Sequence, residues 1–299
     1  MKQIVSPFRR SAAAAIGLGV LLLGSNALAE PAPPPQDRDV ARMVSLGGSC
    51  NRCELSGRNL SGATFTGATF ISATLVGANL RGAELLGSNF SSSDFSRADM
   101  QGVEINGANF TAALFIDTSL SGAEGAGAVF ARSNMSRANL SGAELTGVNM
   151  NAAILTDANA SGAELFGANL ANLSARNANF SGAEMQAANM TAGDFSGANF
   201  RNAELDNARL SRGQFARADF TDASLRRTDI RGVDLSAARG LTQDQVGEAC
   251  ADDATRLPRG LQTGACRSRT VIMGGRVRAP EPPAPPAPPR VRRFIAVGQ

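Results

Sequence analysis

Large apolar residues recur at every fifth position along most of the chain. Between Leu55 and Leu235, Leu, Phe, Met or Ile fills this column, except at Gly125, Ala160 and Ala175. A helix needs apolar residues at spacings of three and four, and a strand needs alternation by two, so neither element accounts for a strict period of five. The pattern indicates a chain that turns a corner after every fifth residue.

Small residues form a second column, two positions before each large one. From Cys53 to Val233 it contains Ala, Val, Ser, Thr, Gly or Cys, except at Arg58 and Leu173. We expect both columns to point inward and the other three positions, rich in Asn, Ser, Thr, Gly and charge, to face water. The representative core centres are Leu80, Phe90, Phe110, Leu140, Leu165, Phe180, Phe200 and Phe220.

The repeated unit resembles that of the pentapeptide-repeat family, Ala-(Asp/Asn)-Leu-x-x. Matching units begin at Ala78, Ala138, Ala168 and Ala198, and the resemblance covers residues 53–239. It implies an all-β fold, a right-handed quadrilateral parallel β-helix with four units per coil. For function the resemblance says almost nothing.

A second, longer period in the sequence indicates four units per coil. Seven acids stand one position before every fourth centre: Glu84, Glu104, Glu124, Glu144, Glu164, Glu184 and Glu204. Another column holds Asn, Asp or Ser at positions 79, 99, 119, 139, 159, 179, 199 and 219. Residues 53–239 then form about nine coils, and at about 4.8 Å per coil the rod is roughly 45 Å long.

The sequence predicts that the chain is divided into five segments, of which the repeats form one. Residues 1–29 have the basic, apolar and small-x-small regions of a signal peptide cleaved near Ala29. Residues 30–40 are predicted to be a disordered linker, 41–240 the β-helix with an N-terminal Cys-x-x-Cys cap, and 270–299 a disordered Pro/Arg-rich tail. Residues 241–269 are predicted to form a C-terminal cap with a short helix, in which Thr242 and Gln245 fit a capping box.

Four cysteines in an exported chain favour disulfides. We expect Cys50–Cys53 and Cys250–Cys266 pairs, since the solenoid would keep the two pairs apart. A redox-active Cys50–Cys53 motif or a metal site is the alternative. The expected location is the periplasm or the exterior of a bacterium, with no transmembrane span; the export route stays open.

The glutamate column is the sharpest surface feature. Stacked carboxylates repel one another, and relief would come from Arg81 and Arg201, raised pKa values or bound cations. One interpretation is a stripe that binds a basic partner, a divalent cation or the cell wall. The other is a solvating face copied by duplication. A second, basic patch would comprise Arg209, Arg212, Arg217, Arg226, Arg227 and Arg231.

Composition argues against catalysis, because the chain contains no His, Trp or Tyr and shows no nucleophile–base pair. We expect no enzyme activity and no cofactor, and a structural or interaction scaffold with a protein or envelope partner. Nucleic-acid binding is not expected, since the repeat body is acidic. Some relatives are DNA mimics that bind type II topoisomerases, but an exported chain would not meet such a target. The resemblance also implies a possible end-to-end homodimer.

Overall fold

The computed structural model describes residues 47–263. Within this range the chain forms a quadrilateral right-handed β-helix, as the sequence predicts. The predicted signal peptide (1–29), linker (30–40) and tail (270–299) lie outside the described residues, as do residues 41–46 and 264–269 of the predicted caps.

Each side of the coil carries one strand rung, which is a single-residue parallel bridge to the next coil. Up to the bridge between Asp219 and Arg239, every bridge joins residue i to residue i+20. The backbone N–H of Leu60 donates to the Asn79 carbonyl at 2.7 Å, and that of Asn79 donates to the Arg58 carbonyl at 2.9 Å. The rungs define four walls: wall 1 (Glu54 to Asp234), wall 2 (Asn59 to Arg239), wall 3 (Thr64 to Ser224) and wall 4 (Ser49 to Asp229).

The corners between walls are tight turns that repeat with the same geometry. In one of them, the Ala63 N–H donates to the Leu60 carbonyl at 3.1 Å, and Gly62 has a φ of 63°. Positive φ at the third residue alone is the sign of a type II turn, which favours Gly or Asn there. Side chains at this position therefore stand on the outer edge of the rod.

The core is a column of stacked apolar side chains inside the four walls. The eight representative centres named above are all buried, at 2% exposure or less. Phe70, Phe90 and Phe110 stack with ring centroids 4.6 and 5.6 Å apart, and a second stack runs through Phe200 and Phe220 at 5.2 Å. A fixed rise between coils brings like side chains into register, so burial and ring stacking reinforce each other.

The irregular core positions have local explanations. A Cβ at Gly125 would lie 2.9 Å from Leu145 Cδ2 and 3.0 Å from Ile105 Cγ1, so the neighbouring coils already fill that space. Leu173 is buried in the small column two residues before Ala175, which is buried in the large one. At this point the large and small side chains have exchanged columns, which keeps the volume inside the coil similar.

A short helix, α1 (Gln243–Glu248), caps the C-terminal end of the β-helix. Thr242 and Gln245 form the predicted capping box. Val246 is fully buried, and the Gln245 side-chain amide donates to the carbonyls of Phe220 and Ala223, both at 2.8 Å. The helix therefore satisfies carbonyls that the last complete coil would otherwise leave open to another strand.

The N-terminal disulfide joins Cys50 and Cys53 across the first corner. Every corner brings a core centre close to the residue three positions later, and Cys50 and Cys53 occupy those two places. No helix begins there, so the motif lacks the setting of a redox-active pair. Cys250 is also disulfide-bonded, whereas Cys266 lies outside the described residues, so the second predicted pairing stays a prediction. In residues 47–263, no helix is long and apolar enough to cross a bilayer.

Candidate docking surface on the acidic wall

Wall 3 carries the seven predicted glutamates in consecutive rungs, and we call it the acidic wall. Parallel bridges join each glutamate from Glu84 to Glu204 to the next one. The inter-strand spacing places successive side chains about 4.8 Å apart. The five from Glu124 onward are exposed, while Glu84 and Glu104 are half-buried. The structure thus assembles one straight column of carboxylates from every fourth repeat unit.

Only the ends of this column have hydrogen-bond donors. Glu84 accepts from the Thr64 hydroxyl at 3.3 Å, and Glu204 accepts from the Gln186 amide at 2.5 Å. Within residues 47–263, the five carboxylates from Glu104 to Glu184 have no hydrogen bond or ion pair. Two unit charges about 5 Å apart repel by about 1 kcal/mol even in bulk water. The middle of the acidic wall is therefore a line of negative charge that no side chain in residues 47–263 compensates.

The arginines expected to relieve this repulsion point elsewhere. Arg81 donates to Asp99 at 3.1 Å and to Gln101 at 2.7 Å, and Arg201 pairs with Asp219 at 3.4 Å. Of the three kinds of relief considered from the sequence, pairing with Arg81 or Arg201 is therefore not the one that the structure shows. Both side chains start at the corner between walls 2 and 3, and each reaches a carboxylate on wall 2 instead.

One of the two outer residues at each corner beside the acidic wall is glycine over most of the wall's length. Glycine occupies the outer corner position on one edge at 62, 82, 102, 122, 142, 162 and 182, and on the other at 67, 87, 107, 127, 147 and 167. A Cβ at any of these positions would meet nothing within 4 Å. The glycine positions therefore place no side chain beside the carboxylates, whereas the residue before each glycine, such as Gln101 or Phe166, carries one.

One large apolar side chain lies on this surface. Phe166 follows the buried Leu165 at the far edge of the wall, and 53% of it is exposed. It stands between Thr146 and Gln186 in its column, next to the Glu164 rung. Exposed aromatic rings within a polar surface commonly serve as anchors for a binding partner.

The other walls neutralise their own polar groups. On wall 2, Asn159 donates to Asn139 at 3.2 Å and accepts from Asn179 at 3.0 Å. At the corner between walls 1 and 2, Arg137 forms two hydrogen bonds of 2.7 Å with Asp117. That bond and the charges of Arg137 and Arg97 lower the pKa of Asp117.

Five of the six arginines of the predicted basic patch lie on wall 4 or at its two corners, and Arg217 stands at the corner between walls 1 and 2. Arg226 pairs with Asp206 at 2.7 Å, and Arg231 pairs with Asp229 at 2.8 Å. The four others lie on wall 4 or at three different corners: Arg209, Arg212, Arg217 and Arg227. Wall 4 and its corners therefore carry most of these arginines in the last coils, and two of them are neutralised by an aspartate.

The described residues offer little for metal binding or catalysis. No three Asp, Glu or Cys side chains in residues 47–263 converge closely enough to hold a metal ion. A cavity of about 220 Å³ opens on wall 1 beside Phe215, where Ser236 donates to Asp234 at 2.6 Å. Hydrogen bonds from Ser236 lower the pKa of Asp234, which makes this carboxylate a weak base at neutral pH.

A family model for pentapeptide repeats matches the chain in overlapping segments that together run over residues 49–236. The match covers more than half of the 299 residues, and the four-walled coil has the geometry that such repeats require. The chain therefore belongs to the pentapeptide-repeat family, whose members are generally non-catalytic structural and interaction proteins.

Several solved structures are similar. HetL, a pentapeptide repeat protein involved in heterocyst differentiation regulation in the cyanobacterium Nostoc sp. strain PCC 7120, is 24% identical; the match covers 78% of this chain and 94% of HetL, with a TM-score of 0.41. Full-length QnrB1, a plasmid-mediated fluoroquinolone resistance protein, is 20% identical over 69% of this chain and 94% of QnrB1, with a TM-score of 0.28. No curated protein matches the chain. The family assignment therefore rests on the repeats themselves.

Sequence reasoning found the glutamate column but missed its glycine edges and Phe166. Both were visible in the longer period of 20 residues. Phe166 lies one position after a core centre, and the glycines lie two positions after one. The five-residue period hides them, because it mixes the corners of all four walls. When the positions of one corner are taken alone, every twentieth residue, the glycines stand in one column. The Arg, Asn and Ala residues at the same turn position belong to other corners or to the ends of these columns.

Proposed function

We propose that this protein is a non-catalytic scaffold whose acidic wall docks a basic partner, either a protein segment or a cationic component of the cell envelope. One observation carries the proposal: five stacked carboxylates, Glu104 to Glu184, have no donor among the described residues, and glycine is one of the two outer residues at almost every corner beside them. A rigid wall loses little conformational entropy on binding, which favours a partner that fits an extended line of charge.

The charge spacing favours a protein partner over mimicry of nucleic acid. The wall carries one charge per about 4.8 Å in a single column. Duplex DNA carries about one charge per 1.7 Å of its axis, on two strands. The wall has about a third of that density, which suits an extended Arg-rich segment able to form bidentate hydrogen bonds with carboxylates.

The alternative of a cation-binding stripe has less support. Calcium takes six to eight oxygen ligands, whereas a single column brings only neighbouring carboxylates together, and no three-acid cluster occurs in residues 47–263. A thermal melt with millimolar calcium tests this alternative, and we expect no shift.

Export to the periplasm or exterior is a further part of the proposal and rests on the sequence of residues 1–29. Cell fractionation and N-terminal sequencing test it, with Glu30 as the expected first residue of the mature chain. The end-to-end homodimer likewise stays a prediction, which light scattering of the mature protein can check.

The docking function can be tested with a defined cationic probe, a nona-arginine peptide, by calorimetry. The first variant carries Glu124→Gln, Glu144→Gln and Glu164→Gln, and its control carries Asp94→Asn, Asp117→Asn and Asp157→Asn, which changes the net charge by the same amount on other parts of the rod. We expect the first variant to lose most of its affinity and the control to keep it. Equal losses of affinity in the two variants would show that only the net charge of the protein matters, and would contradict the proposal.

A further inference from the structure

The acidic wall has an excess of hydrogen-bond acceptors. Besides the five unpaired carboxylates, Gln186 at its edge directs Nε2 to Glu204 and leaves Oε1 buried without a donor in the part of the chain that the structure describes. An occupant should therefore bring many N–H donors, positive charge and some apolar surface for Phe166. Arginine fits, since its guanidinium offers five donors and no acceptor.

The chain itself contains a segment of this chemistry after the last described residue, Thr263. Residues 264–299 hold one acid, Glu281, and seven arginines: Arg267, Arg269, Arg276, Arg278, Arg290, Arg292 and Arg293. Seven positive charges and one negative charge give this tail segment a net side-chain charge of +6. Its charge is thus opposite in sign to that of the wall.

The described chain ends close to the acidic wall. Gln262 and Gln243 are joined by two hydrogen bonds, both 3.0 Å, which hold the chain end beside the start of α1. In the same first turn of α1, the Gln245 side-chain amide donates to the carbonyls of Phe220 and Ala223. Those two residues form the corner that leads directly into wall 3. The tail segment therefore begins at the C-terminal end of the acidic wall.

The distances allow the tail segment to cover the part of the column that has no donors. Glu204 and Glu104 are five rungs apart, which is about 24 Å at about 4.8 Å per rung. An extended chain advances about 3.3 Å per residue, so about eight residues span this distance. Arg276 and Arg278 lie beyond that number of residues after Thr263 and are within reach of the glutamates from Glu204 to Glu104.

We propose that the Arg-rich tail segment, residues 264–299, docks on the acidic wall of its own chain. This proposal rests on the docking function proposed above, and it names the tail segment as the group that occupies the acidic wall when no external partner is bound. Tethering gives the tail segment a local concentration in the millimolar range. An external partner must therefore displace it, and the scaffold is covered until a more cationic partner arrives.

An indole placed in the wall can report on this cover. The chain contains no Trp or Tyr, so Phe166→Trp would introduce the only strong fluorophore. In the mature full-length chain, we expect this indole to be protected from acrylamide quenching. Protection should be lost when the seven tail arginines are replaced by Gln, and also in about 1 M NaCl, where the Debye length is about 3 Å.

The control is Leu114→Trp on wall 1, a residue that is 38% exposed. Its quenching should be the same with the native and the neutralised tail. Should Phe166→Trp prevent folding, as judged by circular dichroism, Thr146→Trp in the same column replaces it. Equal quenching of the wall indole with either tail would overturn the proposal.

Adding nona-arginine separates this proposal from the docking function. If the tail segment covers the wall, the peptide should protect the indole at lower concentration in the tail-neutralised variant than in the native chain. If the peptide protects the indole equally in both, the wall docks cations but the tail does not cover it. If it protects neither and the tail changes nothing, both proposals fail.

Discussion

Walls 2 and 3 have the same backbone ladder, but the side chains stacked on it interact in opposite ways. On wall 2, amide side chains both donate and accept along the column. Asn179 donates to Asn159 at 3.0 Å and accepts from Asn199 at 2.9 Å. On wall 3, carboxylates in the same position can only accept, so Glu144 and Glu164 repel each other. The amide column satisfies its own donors and acceptors, whereas the carboxylate column leaves acceptors without donors among the described residues and is expected to reduce the stability of the rod.

The largest expected effect comes from breaking the core that both walls share. Leu140 lies behind wall 2 and Leu165 behind wall 3, and both are at most 2% exposed. Leu140→Asp and Leu165→Asp should each destabilise the rod by several kcal/mol, because a buried unpaired charge has no compensating partner.

Thermal melts followed by circular dichroism measure this effect. Leu140→Met, which conserves volume, is the control and should lose less than about 1.5 kcal/mol. Tolerance of either aspartate would contradict the packed interior and with it the four-walled coil.

A smaller effect should separate the two walls directly. Asn159→Ala removes the ladder bonds to Asn139 and Asn179 and a bond of 3.3 Å from the Ser161 N–H. We expect a loss of about 1–3 kcal/mol in urea unfolding, since the neighbouring amides lose their partners. Glu144→Ala on wall 3 is the matched control and should cost nothing. A similar loss at both sites would remove the distinction between the walls.

Neutralising one carboxylate should stabilise the protein. Glu144→Gln removes repulsion from Glu124 and Glu164 and should add about 0.5 kcal/mol at low ionic strength. The gain should fade in high salt, because the charges are exposed. Glu54→Gln on wall 1 should show no gain, since Glu54 accepts a hydrogen bond from the Ser56 N–H at 2.9 Å. Destabilisation by Glu144→Gln would show that the column is compensated.

The smallest expected effect is a dependence on pH at a neutralised pair. The hydrogen bond from Arg231 lowers the pKa of Asp229, with help from the Arg231 backbone N–H and against partial burial. Because the pKa of Asp229 is lower in the folded state, its carboxylate stabilises the fold at pH values above its pKa in the unfolded state, about 3.9. This stabilisation is lost as the pH falls through the pKa of the folded state. The stability difference between the native chain and Asp229→Asn should therefore shrink between about pH 5 and pH 3. A constant difference in urea melts would contradict this account.

The periodic part of the fold could be predicted from the sequence, because one short-range rule decides it. The column through Leu140 and Phe180 indicates the interior, and the glutamates in every fourth unit indicate the number of walls. The helix limits, Gln243–Glu248, fall inside the predicted cap because Thr242 and Gln245 act locally.

The partners of long side chains could not be predicted in the same way. Arg81 stands at a corner and can reach wall 2 or wall 3, and only its contact with Asp99 decides between them. The exchange of Leu173 and Ala175 looks like two defects in the sequence, but inside the coil it is one volume-conserving rearrangement. Such outcomes depend on neighbours in adjacent coils.

The constant size of the coil also controls how such a chain can change in length. Duplicating four consecutive units inserts one more coil, and every later residue keeps its wall. Duplicating a single unit rotates everything downstream by a quarter turn, so an insertion after Gly127 would move Glu144 onto wall 4 and split the carboxylate column between two walls. Growth of this molecule that preserves the acidic surface is therefore restricted to whole coils, and single-unit insertions would create a new surface in one step.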